Sequence, residues 1–372
     1  MVLIILFLSM VRVMNHFKSY PSKPMSFLNP HQGRSRTTTQ KFFNQVNDII
    51  DWEPIEALLI DNDQSGKKQR GQKAYHPMIL LKMQLISVWF HLSDVRTEEF
   101  IKDSISFTAF CGLDMEDAVP DHSTLSRFRS ALTAKKLDQK IMDEVHRQLT
   151  EKAVILQGTA VVDASITTSP LTPKSQPKKM AQDRKEDERE EPELQAEDRD
   201  HEKQEEDRPN ADHEARWFKK RKKTYYGYKR HIATTEKGLI LGVHTVAANE
   251  HDSQGLQPLM DGLSVEERKR VLADKGYKSK ENDQLLEAMG SESLVMEKGD
   301  RNKPLTKPQK ERNKAISKER WVVEQTFGGL ARWFHGQVTR FKGLEKVHNQ
   351  PVLESIAYNL KRSPRMMAFM PT

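Results

Sequence analysis

The sequence predicts an α/β protein: a mixed sheet flanked by helices, preceded by a mainly α-helical N-terminal domain. Three observations carry this. From about Thr39 to Leu149 apolar residues recur at helical spacing and strand signals are few. After Lys152 the texture changes to short β-branched runs that alternate with helical segments. The chain is 372 residues long and 36% hydrophobic, enough to bury one large core or two smaller ones, which excludes disorder throughout.

The elements follow in order. The first 14 residues, MVLIILFLSMVRVM, are apolar but broken by Ser9 and Arg12. The run falls short of the ~20 residues of a membrane span and lacks the basic start of a signal peptide, so translation is expected to begin at Met14 or Met25. Helices are expected over segments such as Met78 to Phe90 and Thr97 to Phe107, with breaks at Gly66 to Gln72, Leu92 to Asp94 and Gly112 to Asp121. His122-Ser123-Thr124-Leu125 opens another helix, with Asp121 or Ser123 as N-cap. The run AVILQGTAVVDAS holds two short β-branched stretches and reaches Asp163.

Next come Pro170, Pro173, Pro177 and an acidic tract that cannot build a core. Tyr225 to Ala233 and Leu239 to Ala247 read as strands joined by a turn at Thr235 to Gly238. A helix at Asp252 to Leu263, a buried strand at Arg270 to Ala273, a helix at Lys280 to Met289 and a strand at Ser293 to Met296 complete a β-β-β-α-β-α-β order. An amphipathic helix follows from Ser317 to Phe334, with Ser317 as its cap. Three antiparallel strands and then alternating helices and strands is the order of a ribonuclease-H-like fold, with the charged segment inserted between the first two strands. Loop-closure entropy grows slowly enough with length to tolerate that insertion.

Charge and cysteine content narrow the function. The formal net charge is +7, yet Gln182 to Glu214 contains 16 acidic and 6 basic residues, so the remainder carries +17. Such a remainder is the electrostatic footprint of a polyanion binder. The single cysteine, Cys111, excludes a disulfide scaffold and a zinc-finger reader, and a reducing intracellular setting fits.

Asp163 ends the apolar run Ala160-Val161-Val162, and Asp274 ends Val271-Leu272-Ala273. A carboxylate at the end of a buried strand is costly unless compensated, and two brought together repel unless a cation lies between them. Taken singly, each reads equally as a cap or turn residue. Glu324 lies four residues after Arg320, so both project from one helix face, beside an apolar face supplied by Trp321, Val322 or Val323, Phe327 and Leu330. The pair is either a site of metal and phosphate contact or an ordinary i,i+4 salt bridge. The run RWFKKRKKTYYGYKR, Arg216 to Arg230, has eight basic residues, no acidic ones and five aromatics, suited to a DNA backbone; it also reads in part as a strand with a solvated face. His231, His244 and His251, spaced by 13 and 7, match no local zinc motif and are expected to be structural, with Asn249 and His251 hydrogen-bonding at the strand exit.

The spacing of Asp163, Asp274 and Glu324 (111, then 50 residues), with Asp274-Lys275-Gly276-Tyr277 after a strand and Arg320 ahead of Glu324, resembles bacterial insertion-sequence transposases of the IS-five type, within the IS-four superfamily. VPDHSTLSRFR at Val119 to Arg129, ANEHDS at Ala248 to Ser253, TRFKGLEK at Thr339 to Lys346 and YNL at Tyr358 to Leu360 extend the likeness over about Phe42 to Leu360. Where the family's late helix carries a Tyr and a Lys, this chain has Ser317 and Ala331, with Arg332 adjacent.

The resemblance implies a ribonuclease-H-like Asp-Asp-Glu catalytic domain at 151–346 with its charged insertion at 171–215. A helical DNA-binding domain at 25–150 would precede it, after a non-native or disordered leader at 1–24, and a C-terminal helix and tail would occupy 347–372. It implies that Asp163, Asp274 and Glu324 are catalytic and bind Mg²⁺, for which Mn²⁺ can substitute. DNA contacts would fall to Arg320, Arg332, Lys219, Lys220, Arg221, Lys222, Lys223 and Lys229, with Arg127 and Arg129 in the helical domain. The partners would be double-stranded element ends and target DNA, with self-association during synapsis, no membrane, and a cytoplasmic, nucleoid-associated location. The reaction would be cleavage at element ends followed by strand transfer; an inactive DNA-binding descendant and a nuclease without strand transfer are the alternatives.

Overall fold

In the computed structural model, which describes residues 37–62, 73–173, 210–220, 223–299 and 304–368, the chain divides into two units. One runs to Ser87 and includes Leu92–Leu137; the other comprises Val88–His91 and everything from Asp138. The leader 1–24, residues 174–209 of the charged insertion, the expected break at Gly66 to Gln72, and Arg221 and Lys222 lie outside the described residues.

The first unit is helical, as expected. Its helices are α1 (Thr38–Ile49), α2 (Glu53–Asn62), α3 (Pro77–Trp89), α4 (Asp94–Asp103), α5 (Ile105–Cys111) and α6 (His122–Ala134). The residues of α3 from Pro77 to Ser87 are all buried, so it is the central helix of this unit rather than an amphipathic surface helix. Phe43 of α1 stacks on Phe110 of α5 at 4.4 Å between ring centroids. The segment expected as one helix at Thr97 to Phe107 breaks at Ser104, whose backbone is extended. Asp121 is the N-cap of α6, accepting from the Thr124 amide at 2.6 Å. Among the described residues no single helix is long and apolar enough to cross a membrane.

The second unit contains α7 (Leu137–Glu151), which the sequence had placed with the helical domain. Asp138 explains the difference: it is buried and accepts from Asn349 of the C-terminal helix at 3.0 Å. Six strands form one mixed sheet: β1 (Thr159–Thr168), β2 (Arg216–Lys220), β3 (Lys223–Thr234), β4 (Ile240–Ala247), β5 (Arg270–Ala273) and β6 (Glu292–Val295). β3 is long enough to pair with β2 through its first half and β4 through its second, with β1 antiparallel along its other edge. β5 and β6 continue beyond β1 in parallel. The helices are α8 (Leu256–Asp261), α9 (Lys280–Ala288), α10 (Lys307–Phe334) and α11 (Leu344–Met367), with single 3₁₀ turns at Asp252–Gly255 and Lys275–Tyr277. This is the expected mixed sheet with flanking helices.

Three local differences have physical causes. β2 adds an edge strand because Trp217 and Tyr226 meet across the hairpin at 4.9 Å. Of the two β-branched stretches after Lys152 only the second forms a strand; the first turns out of α7. The late helix begins ten residues before Ser317, at a capping box in which Thr306 and Gln309 exchange hydrogen bonds, and Ser317 is an exposed residue inside it.

The charged insertion leaves and rejoins the sheet at a narrow neck. Thr168, at the end of β1, and Arg216, at the start of β2, both face Gly227 of β3. A Cβ on Gly227 would lie 2.1 Å from the Thr167 carbonyl oxygen, so only glycine permits this approach. The Asp212 amide donates to the Leu171 carbonyl at 2.9 Å, and the buried Tyr228 hydroxyl donates to the Asp212 carboxylate at 2.8 Å. In α11, the buried Asn359 accepts from the Ile240 amide at 2.9 Å and donates to its carbonyl at 2.8 Å, which accounts for the YNL motif as a brace on β4.

Candidate active site

The sheet register brings the two aspartates together. Parallel pairing of β1 with β5 ends at Val161 opposite Leu272, and two residues further along each chain stand Asp163 and Asp274. Side chains alternate along a strand, so both aspartates share a face with Val161 and Leu272. That face is where α10 packs: Val161, Leu272, Ile316, Val322 and Val323 form one buried cluster. Arg320 and Glu324 therefore arrive from α10 on the aspartates' side of the sheet.

Arg320 is buried and spans the two carboxylates. Its guanidinium lies 3.2 Å from Asp163 Oδ2 and 3.7 Å from Asp274 Oδ1. The i,i+4 bridge to Glu324 is not formed; Glu324 is exposed, and so is Trp321, which leaves the apolar face to Val322, Val323, Phe327 and Leu330. Burial pushes the Asp163 carboxyl up to about 6; Arg320 and the Ala164 amide pull it down, while Asp274 and Glu324 push it up. Asp274 caps the following 3₁₀ turn, accepting from the Lys275 amide at 2.7 Å.

As the side chains stand, no group of three His, Cys, Asp or Glu among the described residues is arranged to hold a metal ion, and at the two aspartates the Arg320 guanidinium lies against both carboxylates. The donor set itself fits a divalent cation. It offers the hard carboxylate oxygens of Asp163 and Asp274, the first carrying a desolvation cost that a bound cation relieves.

The floor beside Asp274 is a buried pair that sequence reasoning missed. His231 and Tyr277 are both buried, and the Tyr277 hydroxyl lies 2.6 Å from His231 Nδ1. Burial lowers the His231 pKa to about 3 and raises that of Tyr277, so a neutral imidazole and a protonated phenol share this hydrogen bond. Gly255 closes over the ring, where a Cβ would approach to 2.5 Å. Lys229 pairs with Asp252 at 2.7 Å on the adjoining turn. The signal was present in the Tyr of Asp-Lys-Gly-Tyr, whose partner 46 residues earlier no local pattern identifies. Tyr277→Phe is expected to leave Nδ1 buried without its hydrogen-bond partner and to cost about 1–3 kcal/mol in urea denaturation at neutral pH. His251 caps its own turn by accepting from the Ser253 amide.

The expected DNA contacts divide by exposure. Lys220, Lys223, Arg127 and Arg332 are exposed, and Lys219 is half-buried. Lys229 is buried against Asp252 and the Glu250 carbonyl, and Arg129 clamps Asp94 of α4, so both already have structural partners. Two aromatics of the basic run, Tyr226 and Tyr228, are buried against Val347 of α11 rather than presented outward.

Residues 160–360 match the family model described as Transposase DDE domain, and residues 31–131 match the one described as Transposase domain (DUF772). Over 244 residues the chain is 34% identical to a Neisseria meningitidis serogroup B protein named Transposase for insertion sequence element IS1106, an overlap of 65% of this chain and 78% of that relative. No solved structure matches the chain. With Asp163, Asp274, Arg320 and Glu324 inside the matched span, and a second transposase family covering most of the helical unit, the chain belongs to the DDE transposases, DNA-cutting and DNA-joining enzymes that generally work with divalent metal ions.

Proposed function

We propose that Asp163, Asp274 and Glu324 are the catalytic carboxylates of this transposase, that they hold Mg²⁺ or Mn²⁺, and that the protein acts on the terminal repeats of an insertion sequence of the IS-five type. The carrying observation is that Asp163 and Asp274, each two residues beyond the last β1–β5 pair, both lie against the Arg320 guanidinium of the helix that also bears Glu324. A bound divalent ion supplies Lewis-acid activation of water and phosphate. The protein's own residues fix where that happens. Asp163 is held in the ladder of β1 with β3, Asp274 follows the last residue of β5 and caps the next turn, and the Tyr277–His231 pair holds that turn from behind. Arg320, a fixed fork of donors, orients the aspartates and can also bind a phosphate oxygen.

Water attacks a phosphodiester at the element end, releasing a 3′-hydroxyl. That hydroxyl then attacks a phosphodiester of the target, forming one P–O bond and releasing a second 3′-hydroxyl, with no enzyme-linked intermediate. Lys219, Lys220, Lys223, Arg127 and Arg332 contact the DNA backbone, as would Arg221 and Lys222 of the same basic run. Self-association pairs two ends for synapsis, in the cytoplasm at the nucleoid. The domain division is kept in this reading with its first boundary moved from 150 to Leu137, so that α7 belongs to the catalytic part: 25–137, 138–346 and 347–372.

The test incubates the purified chain with labelled element-end DNA and Mg²⁺ or Mn²⁺, beside Asp163→Asn and Glu324→Gln. Metal-dependent nicking and joined products are expected from the unaltered protein. Both variants should retain end binding and lose cleavage by at least about a thousandfold. Cleavage by either at the unaltered rate overturns the assignment.

A further inference from the structure

The exposed face of α10 carries a charge pattern that the catalytic residues do not use. The helix has 28 residues and spans about 42 Å. At 100° per residue, Lys307, Lys310, Lys314, Lys318, Trp321 and Arg332 fall within an arc of about 80°, and all six are exposed. Between Trp321 and Arg332 the same stripe holds Gln325 and Gly328, so it contains no acid; Glu311 and Glu324 stand at its borders. Among the described residues none of the four lysines makes an ion pair. Trp321 is 54% exposed, an aromatic ring set in line with the cations one turn from Glu324.

Five cations spaced along one rigid rod, without an ion pair among the described residues and interrupted by a single exposed indole, match a nucleic-acid backbone better than they match water. Solvated lysines alone would leave the indole unexplained; an apolar partner would leave the lysines desolvated. Interleaved cations and an aromatic face suit phosphates with a base or sugar between them.

We propose that this stripe is a second DNA track, distinct from the basic hairpin of β2 and β3, which leads a duplex along α10 to the catalytic carboxylates. The proposal rests on the reading of the chain as a metal-dependent transposase. Each lysine neutralises a phosphate and releases its counterion, so the stripe contributes chiefly to affinity and its salt dependence, without base specificity.

The test measures binding of a fluorescein-labelled random-sequence duplex of about 40 bp by anisotropy, between about 50 and 250 mM KCl. It uses the full chain, the fourfold Lys307, Lys310, Lys314 and Lys318→Gln variant, and the corresponding fourfold Arg variant. The Gln variant is expected to show a salt slope shallower by about 3 to 4 and binding weakened at least about tenfold at the upper salt range. The Arg variant should keep the slope of the unaltered protein. Circular dichroism checks that each variant is folded, which the exposure of all four positions favours. A folded Gln variant with an unchanged slope, while the unaltered protein binds the duplex and cleaves element ends, overturns the track alone. An unaltered protein that binds duplex without metal-dependent cleavage under any condition counts against the transposase reading and leaves the slope comparison to decide the track; one that binds no duplex overturns both.

Discussion

Arg320→Ala is expected to destabilise the metal-free protein by about 3 kcal/mol at pH 7.5, as read by urea denaturation, and by clearly less at pH 5. Arg320 is the cation that compensates Asp163, whose side chain is 22% exposed; the Asp274 side chain is 42% exposed and contributes little through solvent. Removing one partner of a buried pair leaves the other charge uncompensated. The pH dependence follows from Asp163, whose carboxyl moves from an ordinary 3.8 up to about 6 in the fold. Between those values the folded protein holds a proton that the unfolded chain has released, so this group's contribution is full below pH 3.8 and is lost as pH rises through 6. Without Arg320 the folded value moves higher still and the loss above pH 6 grows. At pH 5 Asp163 is mostly protonated in both proteins, and the gap narrows. An equal loss at both pH values would show that Arg320 acts by packing and not by charge.

Glu354→Ala is expected to be as damaging, at about 3–5 kcal/mol, with Glu354→Gln milder; thermal and urea unfolding measure both. Glu354 on α11 and Arg230 on β3 meet at 2.6 Å with side chains only 3% exposed. Arg230 also donates to the Gly336 carbonyl at 2.9 Å, and Gln350 donates to Glu354 at 2.8 Å. Truncating Glu354 thus strands a buried guanidinium and loosens the chain leaving α10 at once. Gln at this position keeps a hydrogen-bonding oxygen and loses only the charge. A loss below about 1 kcal/mol for the Ala variant would mean that water reaches Arg230 and replaces its partner.

Much of the fold was legible because its signals are local. β5 falls at Arg270–Ala273 as expected, since an apolar run ended by a carboxylate leaves little choice. The Asp121 cap and the turn after Thr234 were legible for the same reason. The start of α10 was also within reach, in Thr306-Lys307-Pro308-Gln309, a capping box with an early proline. What escaped depends on distant partners. Lys229 and Arg230 sit in a basic run that reads as a DNA surface, yet Asp252 and Glu354 draw both inward. Arg320 and Glu324 share a helix face in sequence, and only the sheet register shows that Arg320 turns to the aspartates instead. The candidate carboxylates could be singled out through the resemblance that their spacing carries; their mutual geometry could not.

The neck at Gly227 fixes the base of the charged insertion, so changes of its length are expected to leave the sheet that carries Asp163 in place. Its two ends stand on either side of one β3 residue, about two strand spacings or 10 Å apart, and the Asp212–Leu171 hydrogen bond ties them below the excursion. A change between 174 and 209 therefore starts from a closed base, and cleavage of element-end DNA by a variant shortened there is expected to match that of the unaltered chain. That makes the segment a natural port, where a tag, a fluorescent domain or a different targeting module can be grafted with the catalytic spacing intact.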